Sequence, residues 1–99
     1  MLLMTLIAAT LAVAQPAPVL DAAATLVAPG EPRRVVLDGR SWSCGPDGAC
    51  VARGRGASQP VLRECRRFVA RFGAVTRYER DGVALSEAEL ATCNTAAAA

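Results

Sequence analysis

The chain has 99 residues and a mass of 10.3 kDa, which leaves room for one small domain at most. Its 53% hydrophobic content is inflated by 21 alanines, and eleven arginines (there is no lysine) against nine acids give a net charge of only +2, too even for a nucleic-acid-binding surface. The absence of histidine removes the commonest general base, the commonest metal ligand and the usual pH switch together.

Leu2 to Ala14 is an uncharged apolar run, well short of the roughly 20 residues a membrane-spanning helix needs. It ends in Ala12-Val13-Ala14, a small-x-small pattern, and Pro16, Pro18 and Asp21 then stop it. Residues 1–14 therefore read as a secretory signal peptide cut after Ala14, although the n-region carries no Arg or Lys. The competing reading is an N-terminal helix or anchor; no Cys stands near the cut to accept a lipid. Export to the periplasm or medium follows, with no transmembrane span left after cleavage. Residues 15–24, rich in Ala and Pro, are expected to be a flexible lead-in, followed by a single domain over residues 25–95.

Within that domain Thr25-Leu26-Val27 marks a first strand. Arg33 to Leu37 is a second, joined by the hairpin dipeptide Asp38-Gly39 to a third over Arg40 to Cys44. Ala49 to Arg53 is a fourth, and Gly54 to Ala57 is a flexible connector. A helix starts at Ser58 with Pro60 in its first turn and stops before Gly73. Its apolar stripe is Val61, Leu62, Cys65, Phe68, Val69 and Phe72, and Arg63, Arg66, Arg67 and Arg71 line the other face. Ala74 to Tyr78 reads as a strand and Asp81-Gly82 as a turn. Ser86 and Glu89 form a capping box for a last helix, with Leu85 and Leu90 at the staple positions. Asn94 suits its stop, and residues 96–99 are expected to be a disordered tail.

Cys44, Cys50, Cys65 and Cys93 form an even set in a short exported chain, the pattern of a disulfide framework. Zinc sites bring thiolates in close pairs, and redox pairs prefer Cys-x-x-Cys; neither spacing occurs here. The turn residues Gly45 to Gly48 bring Cys44 and Cys50 together, and Cys65 then pairs with Cys93 by elimination, from helix to helix. The expected fold is α+β: a short antiparallel sheet packed against two helices and stapled by two disulfides.

The segments Ser41-Trp42-Ser43-Cys44, Cys50-Val51-Ala52, Cys65, Gly73-Ala74-Val75 and Leu90-Ala91-Thr92-Cys93-Asn94 carry a resemblance. Over residues 40–95 the chain resembles a family of small exported alphaproteobacterial proteins of unassigned function, with Trp-x-Cys, a nearby second Cys, a mid-chain Cys and a C-terminal Cys-Asn. The resemblance implies export and the cysteine framework, and carries over no catalytic residue.

The remaining candidates divide by chemistry. Glu87 and Glu89 face different directions on a helix, and Asp47 and Asp81 sit in Asp-Gly turns, so structural roles account for all four carboxylates. A serine nucleophile has neither His nor Lys for a base. The chain is therefore read as non-catalytic, without metal or cofactor; an enzyme or enzyme inhibitor is the minority alternative. Trp42 reads as packing beside a disulfide rather than stacking on a ligand, and Tyr78 as an exposed contact or strand edge. The leading functional reading is an interaction module recognising an envelope protein. The alternative is an anion-binding module that engages an anionic envelope component through Arg63, Arg66, Arg67 and Arg71.

Overall fold

The structure, a computed structural model, describes residues 21–97. The expected signal peptide (1–14), most of the lead-in and the last two residues of the tail lie outside the described residues. Six strands and two helices follow in chain order: β1 (Ala22–Leu26), β2 (Arg33–Leu37), β3 (Arg40–Cys44), β4 (Ala49–Arg53), α1 (Val61–Phe72), β5 (Val75–Arg80), β6 (Val83–Ala84) and α2 (Glu87–Asn94). The strands form one antiparallel sheet in the order β2-β3-β4-β1-β5-β6, with both helices on one side. This is the α+β architecture that the patterning implies.

Strand β1 corrects the expected boundary. Ala22 to Ala24, assigned to the lead-in, lie in a central strand paired with β4 on one side and β5 on the other. Alanine is a poor strand former in isolation, so local propensity pointed away from this assignment. Here the small side chain is what the position needs: Ala22 and Ala24 lie buried in the core alongside Phe68 and Tyr78, and a larger residue would push the helix layer outward. The C-terminal boundary also moves. Ala96 and Ala97 continue the chain as a turn beyond α2, their N–H groups donating to the carbonyls of Cys93 and Asn94.

Asp38 and Gly39 take φ of 50° and 79°, the left-handed pair that a two-residue hairpin requires, and set Leu37 opposite Arg40. Helix α1 begins three residues later than expected. Pro60 stands at its N-cap with ψ 143°, because a proline disfavours helical geometry in the residue before it and fixes Gln59 outside. Strand β5 runs on to Arg80 and turns through Asp81-Gly82 into the two-residue β6, which no sequence pattern announced. Helix α2 has its capping box intact: Glu89 N–H donates to Ser86 Oγ (3.2 Å) and Ser86 N–H to Glu89 Oε1 (3.0 Å). The second contact holds the Glu89 carboxyl below its usual range.

All four aromatic side chains meet in the core. Trp42 on β3 lies 4.4 Å from Phe68, 6.4 Å from Phe72 and 6.0 Å from Tyr78, measured between ring centroids. Tyr78 is fully buried, not an exposed contact. Strand alternation decides this, turning Tyr78 toward α1 while its charged neighbours Arg77 and Glu79 point away. Both disulfides are present. Cys44–Cys50 joins directly opposed residues of β3 and β4 (Cα–Cα 4.1 Å), and Cys65–Cys93 ties α1 to α2 (5.8 Å). In the loop-closure model they contribute about 2 and 3.5 kcal/mol.

Candidate functional site

Trp42, the four cysteines and Asn94, which anchor the family resemblance, are engaged in holding the fold. Trp42 centres the aromatic cluster, and the four cysteines form the two staples. Asn94 donates from Nδ2 to the Val75 carbonyl (2.8 Å) and accepts at Oδ1 from the Val75 N–H (2.9 Å). The Cys93-Asn94 pair thus anchors α2 to α1 with one residue and to β5 with the next.

The arginine face of α1 is divided. Arg66 reaches across to α2, donating to the Thr92 carbonyl (2.9 Å) and to Thr95 Oγ1 (2.8 Å), where the C-terminal end of a helix attracts positive charge. Arg67 pairs with Asp38 of the β2–β3 hairpin at 2.7 Å and holds that carboxyl below its usual range. Arg63 and Arg71 remain exposed on the same face. The four side chains therefore form no single converging site.

Two features that sequence reasoning missed are better formed. The first is the pair Arg40–Glu64, buried at 4% exposure each and joined from Nε to Oε1 at 2.6 Å. Arg40 Nη1 also donates to the Gly54 carbonyl at 2.7 Å. The signal was present in the patterning. Arg40 shares strand parity with Trp42 and Cys44, and Glu64 falls on the helix stripe three residues after Val61 and four before Phe68. Opposite charges at inward positions of two packed elements foretell a buried pair. Around it, Glu64 Oε2, the Tyr78 hydroxyl and Gln59 Nε2 complete no aligned hydrogen bond within the protein. Burial, followed by the facing Glu64 charge, pushes the Tyr78 phenol far above its usual range.

Beside this pair the loop from Gly54 to Gln59 closes a cleft of about 310 Å³, bounded across from it by Arg80 and Asp81. The loop can lie flat on Arg40 because Gly56 has φ 71° and no side chain; a Cβ there would stand 2.7 Å from Arg40 Nε. Arg80 Nη1 donates to the Gln59 carbonyl at 2.6 Å and lies 3.7 Å from Glu64 Oε2.

The second feature is the outer face of the sheet. Both helices cover the inner face, and no described element covers the other. Over β2, β3 and β4 the outward side chains are Arg34, Val36, Ser41, Ser43, Val51 and Arg53, with Val36 75% exposed. They surround a shallow depression of about 440 Å³. Strand β2 is the sheet edge, so alternate backbone groups along it face solvent. Farther along the same face, Arg77 and Glu79 pair with each other at 2.9 Å. The β2–β4 half keeps its two arginines without a facing acid.

No curated protein and no solved structure matches the chain. A family model covers residues 5–95, nearly the whole length, and on that match the chain belongs to the family of unknown function DUF8200.

Proposed function

We propose that the protein is an exported, non-catalytic interaction module of the cell envelope that docks an acidic segment of another protein on the outer face of β2, β3 and β4. The uncovered face carries this reading. It combines exposed Val36, half-buried Val51, small serines and two arginines with no acid among them. A partner whose exposed strand alternates apolar and acidic residues would match that pattern in shape and charge. Arg33 and Arg34 on the edge strand oppose pairing of two copies through β2, since like charges would face each other.

Supporting observations are consistent with export. Four cysteines are paired with none free, as an oxidising compartment favours, and the first 14 residues have the composition of a signal peptide. No helix among the described residues is long and apolar enough to cross a membrane. The lack of any His or Lys in the chain supports the non-catalytic assignment.

The test is a titration of the oxidised protein, residues 15–99, with two synthetic strands, one alternating Val and Glu, the other Val and Lys. The Val–Glu strand should shift amide resonances in β2 through β4 saturably, and Arg34→Glu should abolish the effect. Equal response to both strands, or none to the acidic one, overturns the proposal. Repeating the titration near 0.5 M salt, where the Debye length falls to about 4–5 Å, separates the electrostatic share from the apolar one.

A further inference from the structure

The cleft beside the buried Arg40–Glu64 pair has no part in the docking face, and its chemistry points to a different ligand. Its lining brings together Arg40, Arg55, Ser58, Gln59, Arg80 and Asp81. Arg40 is neutralised by Glu64 at 2.6 Å and fixed again by the Gly54 carbonyl, so it serves as a rigid floor rather than a free cation. Arg55 and Arg80 are different. Arg55 is exposed and makes no hydrogen bond or ion pair within the described residues. Arg80 uses Nη1 on the Gln59 carbonyl, lies 3.7 Å from Glu64 Oε2, and leaves its remaining N–H groups without a hydrogen-bond acceptor among the described residues. Gln59 Nε2 is buried and completes no aligned hydrogen bond, but it faces the Asp38 carboxylate rather than the cleft's solvent. Asp81 is the single carboxylate of the lining; Glu64 lies behind it, and Asp21 flanks it, accepting from the Gly54 N–H at Oδ2 (2.7 Å) and from the Asp81 N–H at its carbonyl (3.2 Å).

We propose that this cleft binds a phosphate group, held by Arg55 and Arg80 with the Ser58 hydroxyl as a further donor. Two guanidinium groups and a hydroxyl approach from more directions than the two coplanar oxygens of a carboxylate face, whereas a phosphate presents oxygens in several directions. The cleft volume of about 310 Å³ lies at the small end of ligand sites, which suits a phosphate with a short substituent rather than a polymer. Its floor is preformed, because Gly56 and the buried ion pair set the loop before any ligand arrives.

Inorganic phosphate and an anionic lipid headgroup offer the same chemistry, and the experiment separates them. The oxidised protein is titrated with inorganic phosphate, with sodium chloride at matched ionic strength as control, reading backbone amides of residues 54–59 and the Arg55 and Arg80 Nε–H resonances. In parallel it is sedimented with vesicles of phosphatidylglycerol or of phosphatidylcholine. Saturable shifts with phosphate alone, weakened at least about tenfold by Arg55→Gln, support the site with free phosphate as its source. Sedimentation with phosphatidylglycerol that Arg55→Gln removes supports it with the headgroup as source. Arg55 makes no hydrogen bond or ion pair among the described residues, so its loss tests binding without unfolding. Arg63→Gln with Arg71→Gln should leave either signal unchanged. The proposal is overturned if neither probe binds, or if the Arg63/Arg71 variant weakens binding as much as Arg55→Gln does.

Discussion

The two faces of the sheet are made from the same short strands yet are used in opposite ways. The inner face packs Trp42, Tyr78, two disulfides and a buried ion pair under two helices, leaving the core side chains at 8% exposure or less. The outer face carries serine, alanine, threonine, valine, arginine and the Arg77-paired Glu79, with no described element on top. A small domain has too little interior to stabilise both faces. Concentrating aromatics, cross-links and helices on one side supplies the stability there and frees the other side to vary without cost to the fold. Substitutions on the two faces should therefore separate stability from binding.

The largest effect is expected at the ion pair. Glu64→Ala leaves Arg40 buried without a counter-charge and should cost about 3–5 kcal/mol in urea unfolding, while Arg40→Met with Glu64→Leu should be close to neutral. A double variant as unstable as the single one would show that the pair is needed for more than charge compensation. Next come the staples. Cys65→Ser with Cys93→Ser should cost about 3.5 kcal/mol, and the Cys44/Cys50 double variant about 2, because the β3–β4 turn already holds its ends together. The reverse order would mean that the hairpin, not the helix pair, depends on its cross-link.

Tyr78 supplies a pH test of the inner face. Its phenol is held protonated in the folded protein, above the 10.0 of an exposed tyrosine. The contribution to stability is full below about pH 10 and is lost above it, as the unfolded chain ionises and the folded one does not. The initial slope should approach 1.4 kcal/mol per pH unit, and Tyr78→Phe should remove it. At the acid end, Asp38 and Glu89 have lowered carboxyl pKa values, so their contributions are present above the usual carboxylate range and fade as pH falls through it. The smallest changes belong to exposed positions. Arg66→Gln should cost roughly 0.5 kcal/mol through its lost contacts with α2. Val36→Ser and Arg63→Gln should stay within about 0.5 kcal/mol. If Val36→Ser lowers stability more than Arg66→Gln, the outer face is contributing to the fold and the contrast between faces fails.

Much of the inner face was legible in the order of residues. Strand alternation in β3 and β4, the dipeptide Asp38-Gly39, the helical stripe through Phe68 and the Ser86–Glu89 box are local patterns, each readable within a few positions. The disulfide pairing followed from the turn between Cys44 and Cys50. What the sequence did not determine was the order of strands. Ala22–Leu26 reaches the centre of the sheet only because β4 and β5 are both present to pair with it, and that long-range pairing overrides the weak strand preference of alanine. The same holds for the candidate sites. Arg55, Gln59 and Arg80 lie as much as 25 positions apart, and the cleft exists only where the loop before α1 crosses Arg40. The bareness of the outer face is likewise a tertiary fact: both helices need the same apolar side, and the described residues include no third helix to place on the other.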